Sequence, residues 1–179
     1  MNTPELHASL LQAMQTYFQG EKIEALVFIL PLGLLCLAFS AWLFTDGGPG
    51  FARGVAIPFV LMGLVMGTVG AVVGLRTPAQ VAALEAGLAA QPASTVSQEI
   101  ARMEKVNAAW PRYLIAWALF GVVGLGLRFA TRSEFLQGMG IALVFFAGVA
   151  LLIDGFAERR THPYVQALTS NSAAPGARS

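Results

Sequence analysis

Residues 76–113, RTPAQVAALEAGLAAQPASTVSQEIARMEKVNAAWPRY, decide the fold, because they form the only long polar stretch between apolar segments. They divide the chain into two halves, and each half contains two apolar runs joined by a short connection. Hydrophobic residues make up 56% of the 179-residue chain and charged residues only 12%, which is about half the charged fraction of a soluble domain. Because so little polar surface cannot cover a water-facing exterior, the composition predicts a protein solvated largely by lipid.

Four apolar runs are long enough to cross a membrane as helices. The first, residues 25–44, has no charged side chain and is long enough to span about 30 Å of hydrocarbon. The other three runs are residues 55–75, 114–130 and 135–153. Turn-forming residues at 45–50 and 132–134 join the runs in pairs. The sequence therefore predicts an all-α membrane protein with four transmembrane helices in two hairpins, forming one domain over residues 1–168.

The N-terminal segment has the pattern of an amphipathic helix. Thr3 can cap it, Pro4 suits the first helical position, and Gly20 is expected to end it. The apolar positions with helical spacing are Leu6, Leu10, Met14, Tyr17 and Phe18. Because the segment is only weakly basic, we expect it to pack beneath the spans rather than lie flat on the membrane.

The linker between spans two and three, residues 76–113, predicts two further amphipathic helices on the same side of the membrane. Thr77-Pro78 is expected to begin the first helix, and Gln91-Pro92 to end it. The second has capping-box spacing at Thr95. Its apolar stripe is Val96, Ile100, Met103, Val106 and Trp110, and its opposite face is Gln98, Glu99, Arg102 and Lys105. Residues 169–179, rich in Ser, Ala and Gly, predict a disordered tail.

The second span carries glycines at steps of four, three and four: Gly63, Gly67, Gly70 and Gly74. Because a flat glycine face lets another helix backbone approach closely in lipid, we interpret this stripe as a helix-packing face, within one chain or between two copies in a homo-oligomer. The alternative is an oligomeric channel whose pore the stripe lines.

On the third span, Arg128 fits an interface anchor that snorkels to the headgroups, with a functional arginine as the alternative.

The distribution of lysine and arginine predicts the orientation. Four spans put both termini and the linker on one side, which holds eight basic residues: Lys22, Arg76, Arg102, Lys105, Arg112, Arg159, Arg160 and Arg178. The opposite connections hold three: Arg53, Arg128 and Arg132. Because short cytoplasmic loops carry the excess of Lys and Arg, we expect both termini and the linker in the cytoplasm.

The spans lack the side chains that carry catalytic or cofactor chemistry. The two histidines, His7 and His162, lie in flanking segments, and Cys36 is the single cysteine. The sequence has no spacing typical of a metal site, a haem pair, a nucleophilic triad or a phosphate loop, and no span carries an acidic residue for proton relay. It therefore predicts a non-enzymatic protein without cofactor or metal, and a net charge of +1 predicts no binding to nucleic acid.

A polar cluster follows the last span: Asp154, Glu158, Arg159 and Arg160, with Arg112 of the linker as a further member. Asp154 and Glu158 share a face if the helix continues, and Asp154 could pair with Arg112 or Arg102. The favoured interpretation is an ion-pair network that fixes the last span against the linker. The alternative is a binding site for lipid or for a partner protein.

The end of the last span, Asp154-Gly-Phe-Ala-Glu-Arg-Arg160 followed by Tyr164, in a short four-span chain, resembles small bacterial inner-membrane proteins that act as immunity partners of secreted toxins. The resemblance covers mainly residues 103–168. It implies a multi-pass protein of the bacterial inner membrane that blocks a membrane-active toxin by protein–protein contact. An accessory subunit of a membrane complex fits the same features, and the channel described above is the alternative function.

Overall fold

The computed structural model describes residues 3–46, 48 and 50–173, and this part of the chain contains helices and no strand. The predicted all-helical class is confirmed. The elements in chain order are α1 (Thr3–Ile23), a π-helical segment (Glu24–Ile29), α2 (Leu30–Thr45), α3 (Gly50–Ala90), α4 (Pro92–Asn107), α5 (Trp110–Ala130) and α6 (Glu134–Ser172).

Four helical stretches are each long and apolar enough to cross a membrane: Glu5–Thr45, Gly50–Ala90, Pro92–Ala130 and Glu134–Ser172. The four apolar runs of the sequence fall one in each stretch. The predicted number of candidate membrane-spanning helices is therefore confirmed. The connection from the first stretch to the second is residues 46–49, and from the third to the fourth it is residues 131–133.

The described residues divide into two compact units. Unit 1 comprises residues 3–23, 73–110 and 155–173, and unit 2 comprises residues 24–72 and 111–154. Each of the four stretches contributes one segment to each unit. Unit 2 contains most of the apolar runs, whereas unit 1 contains the N-terminal helix, most of the polar linker and the C-terminal half of α6.

The core of unit 2 is a cluster of apolar side chains from the first, second and fourth stretches. Its buried members are Ile29, Cys36, Met62 and Met66, and Phe146, Val149 and Ile153 pack against them. Ser40 is 1% exposed, and its hydroxyl donates to the carbonyl oxygens of Cys36 at 2.8 Å and Ala56 at 3.2 Å. Because a buried hydroxyl without an acceptor is costly, the hydrogen bond to Ala56 stabilises the contact between α2 and α3.

The core of unit 1 is built around α1. The buried side chains are Leu10, Met14, Tyr17 and Phe18 of α1, Leu88 of α3, Val96 and Met103 of α4, and Tyr164 and Leu168 of α6. The apolar positions of α1 are therefore covered by side chains from three other helices of the same unit. Fully burying each large side chain contributes roughly 1.5–3 kcal/mol, so α1 is integral to this unit.

The predicted end of the N-terminal helix at Gly20 is wrong, because α1 continues to Ile23 and the helix then passes into the π-helical segment. Gly20 instead leaves room for the Arg160 side chain, because a Cβ added at Gly20 would lie 2.8 Å from Cδ of Arg160. The Arg160 guanidinium also donates to the Gly20 carbonyl oxygen at 3.5 Å. Gly20 accommodates the Arg160 side chain and does not terminate the helix.

The predicted helix start at Thr77-Pro78 is also wrong, because α3 continues without a break from Gly50 to Ala90. Proline removes one backbone hydrogen bond but does not end a helix that tertiary contacts hold in place. The buried Thr77 hydroxyl donates to the Val73 carbonyl oxygen at 2.6 Å, next to the carbonyl that Pro78 leaves without its usual donor. The predicted break at Gln91-Pro92 is confirmed, since α3 ends at Ala90 and α4 begins at Pro92.

The π-helical segment directly precedes Pro31. The proline ring has no N–H to bond the Val27 carbonyl and crowds it, and Val27 lies within the segment Glu24–Ile29. A π-type turn is one way in which a helix absorbs such a disruption. The backbone of α3 packs closely against this segment at Gly70, where an added Cβ would lie 2.8 Å from the Ala25 carbonyl oxygen.

Some predictions fall at the edges of the described chain. Helix α6 extends to Ser172, so the predicted disordered tail does not begin at residue 169, and residues 174–179 lie outside the described residues. The capping side chains of Thr3 and Pro4 also lie outside them, as do Gly47 and Pro49 of the predicted turn.

Candidate functional site

The glycines of the second span contact the first stretch within the same chain. A Cβ added at Gly63 would lie 2.8 Å from the Gly33 carbonyl oxygen, and one added at Gly70 would lie 2.6 Å from the Leu30 nitrogen. A Cβ at Gly67 would meet nothing within 4 Å, although the Gly67 backbone itself lies against Gly33. Gly74 is buried and belongs to unit 1. The stripe is thus divided: Gly63 and Gly70 face the first stretch, and the Cβ position of Gly67 is open.

Asp154 has a neutral partner in unit 2. Its Oδ2 accepts a hydrogen bond from the indole Nε1 of Trp117 at 2.6 Å. The Trp117 ring packs edge-to-face on Phe146, with 5.4 Å between the ring centroids. The ion pair expected between Asp154 and Arg112 is not among the ion pairs of the described residues. The bond to Trp117 therefore joins α5 to α6 without a charge pair.

The members of the predicted polar cluster belong to both units. Asp154 and Arg112 belong to unit 2, whereas Glu158, Arg159 and Arg160 belong to unit 1. Arg159 is exposed, and Arg160 is partly buried against Gly20.

The most connected polar group of unit 1 is Glu99, which the sequence pattern placed on the polar face of its helix. That placement is wrong, because Glu99 is 5% exposed. Nε and Nη2 of Arg102 donate to its two carboxylate oxygens at 2.8 and 2.6 Å, and the Tyr164 hydroxyl donates to Oε1 at 2.9 Å. The available signal was the i,i+3 spacing of Glu99 and Arg102, but the partner on α6 is 65 residues away.

Aromatic rings enclose this buried network, which we call the Glu99 network (Glu99, Arg102, Tyr164, Tyr17 and Phe18). The Arg102 guanidinium lies 5.6 Å from the centroid of the Phe18 ring, a distance at which a cation is attracted to the π face. Tyr17 stacks on Tyr164 with 5.0 Å between centroids. The network therefore connects α1, α4 and α6 within unit 1.

The ionisation of the network follows from its burial. Burial raises the pKa of the Tyr164 hydroxyl above its ordinary value, and the negative charge of Glu99 raises this pKa further. Burial likewise raises the pKa of Tyr17, with a smaller contribution from Glu21. The hydrogen bond to Glu99 raises the pKa of the Arg102 guanidinium. At neutral pH the phenols are protonated and Arg102 is charged, so Tyr164 and Arg102 both act as donors.

The Glu99 network has the properties of a buried structural contact between helices rather than of an open reactive site. Its carboxylate is satisfied by three donors, and a buried ion pair is stable only when such additional bonds are present. A buried polar group with defined partners fixes one register between helices. Within the described residues, no three His, Cys, Asp or Glu side chains are grouped so as to hold a metal ion.

Helix α5 is the least covered of the apolar stretches. In the stretch Pro92–Ala130, 6% of the most apolar window is buried inside the protein, against 33% for Gly50–Ala90. Large exposed side chains follow one another along it: Ile115, Leu119, Phe120, Val122, Val123, Leu125 and Phe129. Gly126 lies among them, exposed, and a Cβ added there would meet nothing within 4 Å. The α5 face, defined by these residues, is therefore open to the surroundings.

Comparison with known proteins finds no matching protein-family model, no matching curated protein and no matching solved structure. The resemblance to immunity partners of secreted toxins therefore stays a prediction.

Proposed function

We propose that the chain is an integral protein of the bacterial inner membrane that crosses the bilayer four times as two hairpins. Both termini, α1 and the polar linker are then cytoplasmic, as the excess of Lys and Arg on that side favours. The short connections at residues 46–49 and 131–133 support the hairpins. So do the contacts of α2 with α3, in which Gly33 meets Gly63 and Ser40 meets Ala56, as antiparallel neighbours would.

Its function is protein–protein contact within the membrane, through the α5 face, without catalysis. The observation that carries this proposal is the low burial of this helix, 6% of its apolar window. Lipid tails can cover any apolar helix, so exposure alone does not require a protein partner. Gly126 adds the second argument, because a glycine inside a helix costs about 0.5–1 kcal/mol relative to alanine. Among residues 3–46, 48 and 50–173, none lies within 4 Å of a Cβ added at Gly126, whereas close packing of a partner helix would compensate that cost.

The partner is a membrane-spanning helix of another protein. The resemblance favours a membrane-active toxin, which an immunity protein would hold in an inactive form. A subunit of a resident membrane complex and a second copy of this chain would present the same apolar chemistry. Identification of the captured protein distinguishes the three.

Photo-crosslinking tests the α5 face. A photoreactive amino acid is placed at Val122 on α5 or at Leu35 on α2, which are 66% and 65% exposed. We expect a discrete protein adduct from Val122 in native membranes and only lipid adducts from Leu35. Gly126→Leu should abolish the Val122 adduct while leaving the thermal stability of the purified protein unchanged. Lipid adducts alone at both positions would refute the proposed contact.

The role of the partner is tested in cells. If the adduct contains a secreted toxin, cells carrying the wild-type chain should survive that toxin and cells carrying Gly126→Leu should not. If it contains a resident subunit, loss of the chain should reduce the amount of the assembled complex. Survival that is independent of Gly126 would contradict immunity through the α5 face.

A further inference from the structure

Helices α3 and α6 begin with the same sequence pattern. The second residue of each is phenylalanine, Phe51 and Phe135, and the fifth is glycine, Gly54 and Gly138. Both helices follow a short connection after an apolar helix. The pattern Phe-x-x-Gly therefore occupies equivalent positions in the two halves of the chain.

The two patterns contact each other reciprocally. A Cβ added at Gly54 would overlap the Phe135 carbonyl group and lie 3.1 Å from the Met139 nitrogen. A Cβ added at Gly138 would overlap the Phe51 carbonyl group and lie 3.1 Å from the Val55 nitrogen. Met139 and Val55 are again equivalent, since each is the sixth residue of its helix. Each contact thus has its counterpart with the roles of α3 and α6 exchanged.

Reciprocal contact of the same patch with itself is the property of an isologous, two-fold interface, as in homodimers. Both contacts depend on backbone atoms meeting at a glycine, a geometry that lets helices approach closely in lipid. Side chains extend the contact further into unit 2, where the rings of Phe59 on α3 and Phe145 on α6 stack with 5.5 Å between centroids. Equivalent sequence and reciprocal geometry together indicate two related modules.

We propose that residues 3–90 and 92–172 are two copies of one hairpin module, and that the Phe-x-x-Gly surface is the self-complementary part of the contact through which each module binds the other, beside the shared apolar cores. The partner that fits this surface is a second module of the same kind, supplied here by the other half of the chain. Gln91, the single residue between α3 and α4, is then a connection between two associating modules and is not needed to hold them together.

The test uses the folded full-length protein with a protease site replacing Gln91. After purification in detergent the chain is cut, and one half is captured by a terminal tag. We expect the two halves to be recovered in equal amounts. Gly54→Ala and Gly138→Ala should each weaken the association of the cut halves by about tenfold or more, because overpacking against a backbone is costly, and by similar factors, because the contacts are reciprocal.

Two matched controls use the same added methyl group. Gly126→Ala, at an open position of α5, should leave the association unchanged. Gly70→Ala, which crowds a contact inside the first module, should lower the unfolding temperature without weakening the association of the halves. The proposal is overturned if the cut wild-type halves separate at once, if Gly54→Ala and Gly138→Ala differ by more than tenfold, or if either matches Gly126→Ala.

Discussion

Replacing Glu99 with Gln removes the negative charge at the centre of the Glu99 network while keeping the size of the side chain. Breaking a buried ion pair by removing one partner costs about 3–5 kcal/mol. The Arg102 side chain is 34% exposed, so it can recover part of its hydration, and we expect a loss near the lower end, about 3 kcal/mol. Tyr164→Phe should cost about 2 kcal/mol, because it removes a hydrogen bond to a charged acceptor.

The double variant measures whether the two interactions form one network. Because Arg102 and Tyr164 donate to the same carboxylate, the losses should not add, and the coupling should be about 1 kcal/mol or more. The assay is equilibrium unfolding in detergent, followed by helical circular dichroism. Glu104→Gln, the same change at an exposed position of the same helix, should stay within about 0.5 kcal/mol of wild type. A Glu99→Gln loss equal to that of Glu104→Gln, or strictly additive losses, would refute the network.

Two further predictions concern alkaline pH and the glycine stripe. Since the pKa of Tyr164 is raised above its ordinary value of 10.0, the stability that its protonated hydroxyl contributes is present below pH 10 and is lost as the pH rises toward the folded-state pKa. Tyr164→Phe should therefore make the decline shallower, by up to about 1.4 kcal/mol per pH unit above about pH 11; equal slopes in pH-dependent unfolding would contradict this. Gly70→Ala should destabilise by about 1–3 kcal/mol, because its Cβ would meet backbone atoms of the first stretch. Gly67→Ala, whose added Cβ would meet nothing within 4 Å, should be neutral or gain up to about 1 kcal/mol of helix propensity. The opposite ranking in thermal unfolding would show that the contacts are misassigned.

Much of the fold could be predicted because apolar length is a local property of the sequence. Residues 25–44 have no charge over a length that crosses hydrocarbon, and the same rule identifies the other three runs. Helix ends were less predictable, since tertiary contacts decide whether a glycine or a proline ends a helix or lies inside it. Gly20 lies inside a helix because Arg160 packs across it, and Pro78 lies inside α3 although proline commonly marks a helix boundary.

The polar contacts could not be predicted, because each depends on residues distant in sequence. The neutral partner of Asp154 is Trp117, 37 residues away, and an indole on an apolar helix gives no charge signal. Glu99 is buried beside Tyr164 of α6, whose hydroxyl donates to it, whereas the sequence of α4 alone places Glu99 among other polar residues. Gly54 was missed because a single Phe-x-x-Gly has little specificity, and only its contact with a second copy makes the pattern informative.

In the proposed topology the chain crosses a membrane four times and has both ends in the cytoplasm. In a chain whose Cys36 is replaced by Ala, a single cysteine is introduced at residue 48, 133 or 93. Its reaction with a membrane-impermeant maleimide then reports on which side of the membrane that residue lies. We expect labelling of Gly48→Cys and Ser133→Cys in intact spheroplasts, and of Ala93→Cys only after lysis. Labelling of Ala93→Cys in intact spheroplasts, or protection of Ser133→Cys until lysis, would contradict it.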